Sequence, residues 1–69
     1  MHHGYVKIKH PLQYGFIREA NTLHDYFFQR TDLIDIDFEK LEPGDRVSFD
    51  IVPSEKGPRA TEIRRERVE

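Results

Sequence analysis

Sixty-nine residues allow one domain at most, and with charged residues (35%) as frequent as apolar ones (36%) its core can be only one thin layer. The absence of cysteine excludes disulfides and thiolate metal sites; no apolar run approaches the roughly 20 residues of a membrane span, and "MHHGYVKIK" at the N-terminus has no apolar stretch that would read as a secretory signal. A net charge of −2 argues against a duplex-DNA binder that works by neutralising phosphates, yet leaves room for a single-strand binder, where stacking carries much of the affinity.

The first segment, Tyr5 to Lys9, alternates Val6 and Ile8 with Lys7 and Lys9, the period of a strand. Pro11 ends it, because proline cannot donate into a sheet ladder. The second, Tyr14 to Arg18, carries Gly15 inside it, and a glycine within a strand signals a bulge, a bend or a close approach to the backbone. Glu19 to His24 reads as a loop, Asp25 to Arg30 as the third strand and Thr31 to Ile34 as a short helical turn. Asp35 to Pro43 is a long acidic connection with one exposed-looking aromatic, Phe38. After the turn chemistry of Pro43-Gly44-Asp45, "RVSFDIV" alternates Val47, Phe49 and Ile51 with Ser48 and Asp50 as a fourth strand. Pro53 to Pro58 is a further loop, and Arg59 to Ile63 a fifth strand that has the tail "RRERVE" to continue into. Five short strands separated by turn signals, with no long helical period, predict an all-β chain folded as a small five-stranded antiparallel barrel spanning 1–69, its core at about 4–64.

Two runs, "QYGFI" and "DYFFQ", hold five of the eight aromatic residues. Successive strand residues point to opposite faces. Tyr14 and Phe16 therefore share one face, as do Phe27 and Gln29, while Tyr26 and Phe28 take the other. Both strands are apolar on both sides, and the chain has no helix or second layer left to cover the second face. Cations sit in the same segments: Lys7, Lys9, Arg18 and Arg30. Aromatic rings interleaved with cations are the composition of a platform for single-stranded nucleic acid, since rings stack on bases and cations track phosphates.

"YGFI", then "DYFFQ", "GDRVSFDI" and "KGPRATEI", in that order from Gly4 to Ile63 and preceded by Gly4-Tyr5-Val6-Lys7, resemble the cold-shock domain family. The resemblance implies an OB-type barrel whose second and third strands stack single-stranded RNA or DNA, in the manner of an RNA chaperone. By motif position the stacking residues are Tyr14, Phe16 and Phe27, with Phe38 adding a contact from the long loop. Lys7 stands near the phosphates, Lys56 and Arg59 flank Gly57-Pro58 as basic positions, and Asp25 makes a polar contact to a base. Val6, Ile17, Tyr26, Phe28, Val47, Phe49, Ile51 and Ile63 form the implied core. The chain departs from the family where a tryptophan and a following aromatic give way to Ile8 and Lys9, and where a histidine and an aromatic give way to Gln29 and Arg30. Gln13 alone replaces a lysine-glycine pair, in a loop one residue shorter. Arg30 and Gln29 can compensate, because a guanidinium plane stacks on a base and an amide bonds to base edges. Weaker binding than in a full family member is expected. A second reading stays open: a divergent barrel whose exposed face binds a protein.

No metal site is expected from His2, His3, His10 and His24, which lack ligand spacing; His10 and His24 read as solvent-facing loop residues. Asp32, Asp35 and Asp37 lack the glycine and terminal glutamate of a calcium loop and read as a solvated acidic rim. Arg64, Arg65 and Arg67 are candidates to extend the basic track. No nucleophile and base are paired by any motif, so no enzyme and no cofactor are expected, nor a small-molecule substrate or a membrane partner. The resemblance implies a cytoplasmic protein, expected as a monomer with a dimer left open.

Overall fold

The structure is a computed structural model, and it describes residues 1–66. Five strands, β1 (His2–His10), β2 (Tyr14–Glu19), β3 (Asp25–Gln29), β4 (Arg46–Val52) and β5 (Arg59–Arg65), close into a barrel in the order β1-β2-β3-β5-β4. Closure leaves no free sheet edge, which is how a small all-β chain avoids pairing with its neighbours. Two single-turn 3-10 segments, Arg30–Asp32 and Phe38–Lys40, lie in the connection between β3 and β4. No helix among the described residues is long and apolar enough to cross a membrane.

Alternation along the strands fills the interior. Val6, Ile17, Phe28, Val47, Phe49 and Ile63 are buried as their strand positions predict, with Tyr26 and Ile51 half-buried against them. Phe38, Leu41 and Ala60 complete the core. β1 begins three residues earlier than its alternation indicates, because His2 and His3 pair with Phe49 and Ser48 of β4.

The barrel is mixed rather than purely antiparallel. β3 and β5 run parallel, joined at Phe27↔Arg59 and supplemented by a parallel bridge between Leu33 and Ile63. The cause is topological. β4 and β5 form an antiparallel pair, and the strand that returns to close the barrel against β3 has the same direction as β3.

Gly15 answers to a close approach, and the bulge its position suggested lies instead in β1, between Val6 and Ile8. A Cβ on Gly15 would stand 2.3 Å from the Ile8 carbonyl oxygen and 2.8 Å from the Phe28 ring. The missing side chain thus makes room for the large core ring on the neighbouring strand. The β1–β2 turn is tight: Gln13 N–H donates to His10 C=O at 2.9 Å, with Gln13 itself at φ 69°.

The long connection overturns two expectations. Phe38 is not an exposed stacking ring. It is 6% exposed, packed 6.3 Å from the Phe28 ring, because the barrel has no second layer and must draw apolar side chains from this connection. Nor is Lys9 free to meet a phosphate. Its ammonium donates to the carbonyls of Phe38 (2.9 Å), Glu39 (3.3 Å) and Leu41 (2.7 Å) and stands 5.0 Å from the centre of the Phe38 ring. Carbonyls left over at the end of a helical turn need such a donor. Lys9→Met should therefore lower unfolding free energy in urea by about 1–3 kcal/mol, the range for leaving such carbonyls unpaired, and leave oligonucleotide affinity nearly intact. Loss of affinity at unchanged stability would show that Lys9 serves a ligand instead. Arg65 reinforces the same connection, donating to Lys40 C=O at 2.9 Å and to Asp45 at 3.0 Å, so it is not a free member of a basic track. Arg67 lies outside the described residues.

Candidate nucleic-acid interface

Cross-strand pairing assembles the outer face of β1, β2 and β3 into rows. Ile8 faces Phe16, Phe16 faces Phe27, and Phe27 faces Arg59. In the next row His10 faces Tyr14 and Tyr14 faces Gln29. Residues directly opposite in a sheet share a face and touch, so the register alone brings Ile8, Tyr14, Phe16, Phe27, Gln29 and Arg59 onto one surface. Their rings are in contact. His10 stacks on Tyr14 at 4.6 Å with 13° between planes, Tyr14 stacks on Phe27 at 5.6 Å and 22°, and Phe16 meets Phe27 edge-on at 5.9 Å and 80°. Tyr14, Phe16 and Phe27 are each half-buried, and Ile8 is 50% exposed.

Two clefts flank this strip. One, of about 550 Å³, runs between Phe16, Phe27 and Gln29 on one side and the β4–β5 loop with Lys56, together with Arg59 at the start of β5, on the other. The other, of about 280 Å³, is bounded by Gln13, Tyr14, Phe27, Gln29 and Arg30. Phe27 and Gln29 line both. Gln13 joins the site through the backbone, its carbonyl accepting the Arg30 N–H at 3.0 Å.

At the opposite end of the strip Asp25 ties two cations together. Arg18 Nε donates to it at 2.8 Å and Lys7 Nζ at 2.9 Å. These hydrogen bonds, Arg18's first and Lys7's second, hold the Asp25 carboxyl down to about 2. Asp25 is therefore ionised at neutral pH, and the trio presents a net single positive charge. Lys7 and Asp25, expected separately as a phosphate contact and a base contact, are instead bonded to each other, so each already has a partner within the chain. Arg30 and Lys56 carry no ion pair among the described residues.

Sequence reasoning missed two residues here. His10 is not a loop residue: it ends β1 and caps the aromatic strip through its stack on Tyr14. Asp32 is not part of a solvated rim. It is 5% exposed, accepting the Gln29 N–H at 2.9 Å on one oxygen and Arg59 Nη2 at 3.0 Å on the other. The available signal was its spacing, an acid three residues after Gln29 at the start of a turn, where a carboxylate reaches back to the backbone.

The family model for the 'Cold-shock' DNA-binding domain matches residues 2–66. The chain belongs to the cold-shock domain family. This cold-shock domain is similar to a cold shock-like protein of Aquifex aeolicus (strain VF5), with 43% identity over 51 residues, covering 74% of this chain and 73% of the relative. It is also similar to cold shock-like protein CspA of Vibrio cholerae (serotype O1, El Tor Inaba N16961), with 34% identity over 50 residues, covering 72% and 71%. Cold-shock domains bind single-stranded nucleic acids and are not enzymes, and the closed five-stranded barrel is the fold expected of one.

Proposed function

We propose that this cold-shock domain binds single-stranded RNA or DNA by stacking successive bases along Tyr14, Phe27 and Phe16, holding strands open as an RNA chaperone does in the cytoplasm. The observation that carries the reading is the continuous strip of rings on the outside of a barrel whose interior is already filled. Each ring offers about 1–3 kcal/mol to a base whatever its identity. Ile8 gives apolar contact where a ring would stack. Gln13, Gln29 and Arg30 supply hydrogen bonds along the smaller cleft, and Lys7, Arg18, Arg30 and Lys56 draw the backbone.

Charge bookkeeping supports stacking as the main source of affinity. Lys7, Arg18, Arg30, Lys56 and Arg59 are set against Asp25, Asp32 and Glu55 on or beside this face, leaving about two positive charges to neutralise phosphates. Anisotropy titration of a labelled, pyrimidine-rich single strand at several salt concentrations should give a log–log slope between about −1 and −2, from about 0.7 per phosphate neutralised, with no comparable binding to a duplex of the same sequence. A slope several times steeper would mean that charge rather than stacking drives association. Absence of binding at low salt would remove the proposal and leave the protein-interaction reading, for which Ile8 and Leu12 are among the exposed apolar side chains.

A further inference from the structure

The ion pair between the buried Asp32 and the half-buried Arg59 has no purpose in the stacking scheme. A phosphate-tracking cation works best unpaired and exposed, yet Arg59 is bound at 3.0 Å to a carboxylate that is itself 5% exposed. The second oxygen of that carboxylate is fixed by the Gln29 N–H, so Asp32 is anchored to β3 and in turn anchors the guanidinium beside Phe27, its cross-strand neighbour. The pair is close to neutral. Glu55 on the same cleft offsets Lys56. The cleft therefore exerts little net pull on a phosphate. What it retains is directional: a planar guanidinium with five N–H groups, of which the Asp32 bond takes one, held at the rim of a cleft whose wall is an aromatic ring.

We propose that Arg59, positioned by Asp32, reads the base that stacks on Phe27 in the larger cleft, and that it selects guanine. This rests on the stacking reading above and gives it a base preference. Guanine presents two adjacent acceptors, O6 and N7, which match the two parallel donors of a guanidinium; adenine offers one acceptor beside a donor, thymine and uracil a single carbonyl in the corresponding position, and cytosine a donor. Gln29 lines the same cleft and could favour adenine by its amide. Its side chain, however, is exposed, whereas Arg59 is already held in place in the free protein and loses less freedom on binding. Asp32 is thus a positioning residue that touches no base.

The test is a competition series with a short thymidine-rich single strand carrying one guanine, adenine, cytosine or thymine at its centre. Wild type should bind the guanine strand roughly tenfold more tightly than the others. Arg59→Lys keeps the charge and loses the fork, and should bring the four strands to within about twofold of one another. Asp32→Asn should do the same, and a shift in base ranking is not a change that mere destabilisation would produce. Phe27→Ala should weaken all four together. Equal binding of the four strands by wild type, an adenine preference, or a guanine preference that survives Arg59→Lys overturns the proposal. So does a uniform loss of affinity with a shallower salt slope in Arg59→Ala, which would make Arg59 a phosphate contact. Failure of wild type to bind any of the strands is a different outcome: it overturns the stacking reading itself, and this inference with it.

Discussion

Phe27→Ala should cost the protein about five- to 150-fold in affinity for single strands of any sequence, the equivalent of about 1–3 kcal/mol for one lost stacking surface. The size of the effect follows from where the ring stands. Phe27 touches both Tyr14 and Phe16 and lines the clefts on both sides, so its removal breaks the strip in the middle, whereas loss of Tyr14 or Phe16 would shorten it from an end. The ring is only half-buried, and the variant should keep a cooperative thermal transition close to that of wild type. Titration of both proteins with the same labelled strand, beside circular-dichroism melts, separates binding from folding. Unchanged affinity in a folded variant would show that bases do not stack here.

One position further on, the opposite result is expected. Phe28 is fully buried, with the space above Gly15 and the ring of Phe38 fitted to it. Truncating a buried phenylalanine to alanine costs about 3–5 kcal/mol. At about 0.05–0.15 kcal/mol per residue the whole domain has roughly 3–10 kcal/mol to lose. Phe28→Ala should therefore melt at or below physiological temperature, and any loss of binding would follow from unfolding. A variant with the wild-type melting curve would mean that the core tolerates a hole at its centre. The contrast between these neighbours is the strand period expressed as phenotype: one residue faces outward, the next the core.

That period is also what made much of the molecule legible. Alternation in "DYFFQ" separates Phe27 from Phe28 without reference to any contact, and the same rule sorts Tyr14 and Phe16 from Gly15 and Ile17. Most of the unforeseen features depend on how distant segments meet. Phe38 looks exposed because its neighbours Asp37 and Glu39 are charged, and only the closing of the barrel shows that the core needs it. Lys9 continues an alternating pattern of cations, but the carbonyls that claim it come from residues 38, 39 and 41. Asp32 is one of several acids in a row, distinguished from Asp35 and Asp37 by the guanidinium that β5 delivers to it. His10 sits where proline chemistry announces a turn, and its stack on Tyr14 depends on how tightly that turn closes. The parallel seam follows from the closed strand order, which no single segment encodes.

The seam between β3 and β5 has a mechanical meaning. The other junctions of the barrel pair at four or more positions, whereas this one pairs at Phe27↔Arg59, with the Leu33↔Ile63 bridge beyond the end of β3 as its supplement. A closed wall breathes first where it is least stitched, and local opening is a property of such thinly bonded places. Here the thin place runs directly beneath the aromatic strip proposed to stack bases. A strand lying across Phe27 and Arg59 would act as an external staple, joining the two edges that the backbone itself barely joins. The occupied barrel would then be the tighter one, and anything that prises this seam apart would release the cargo at the same time.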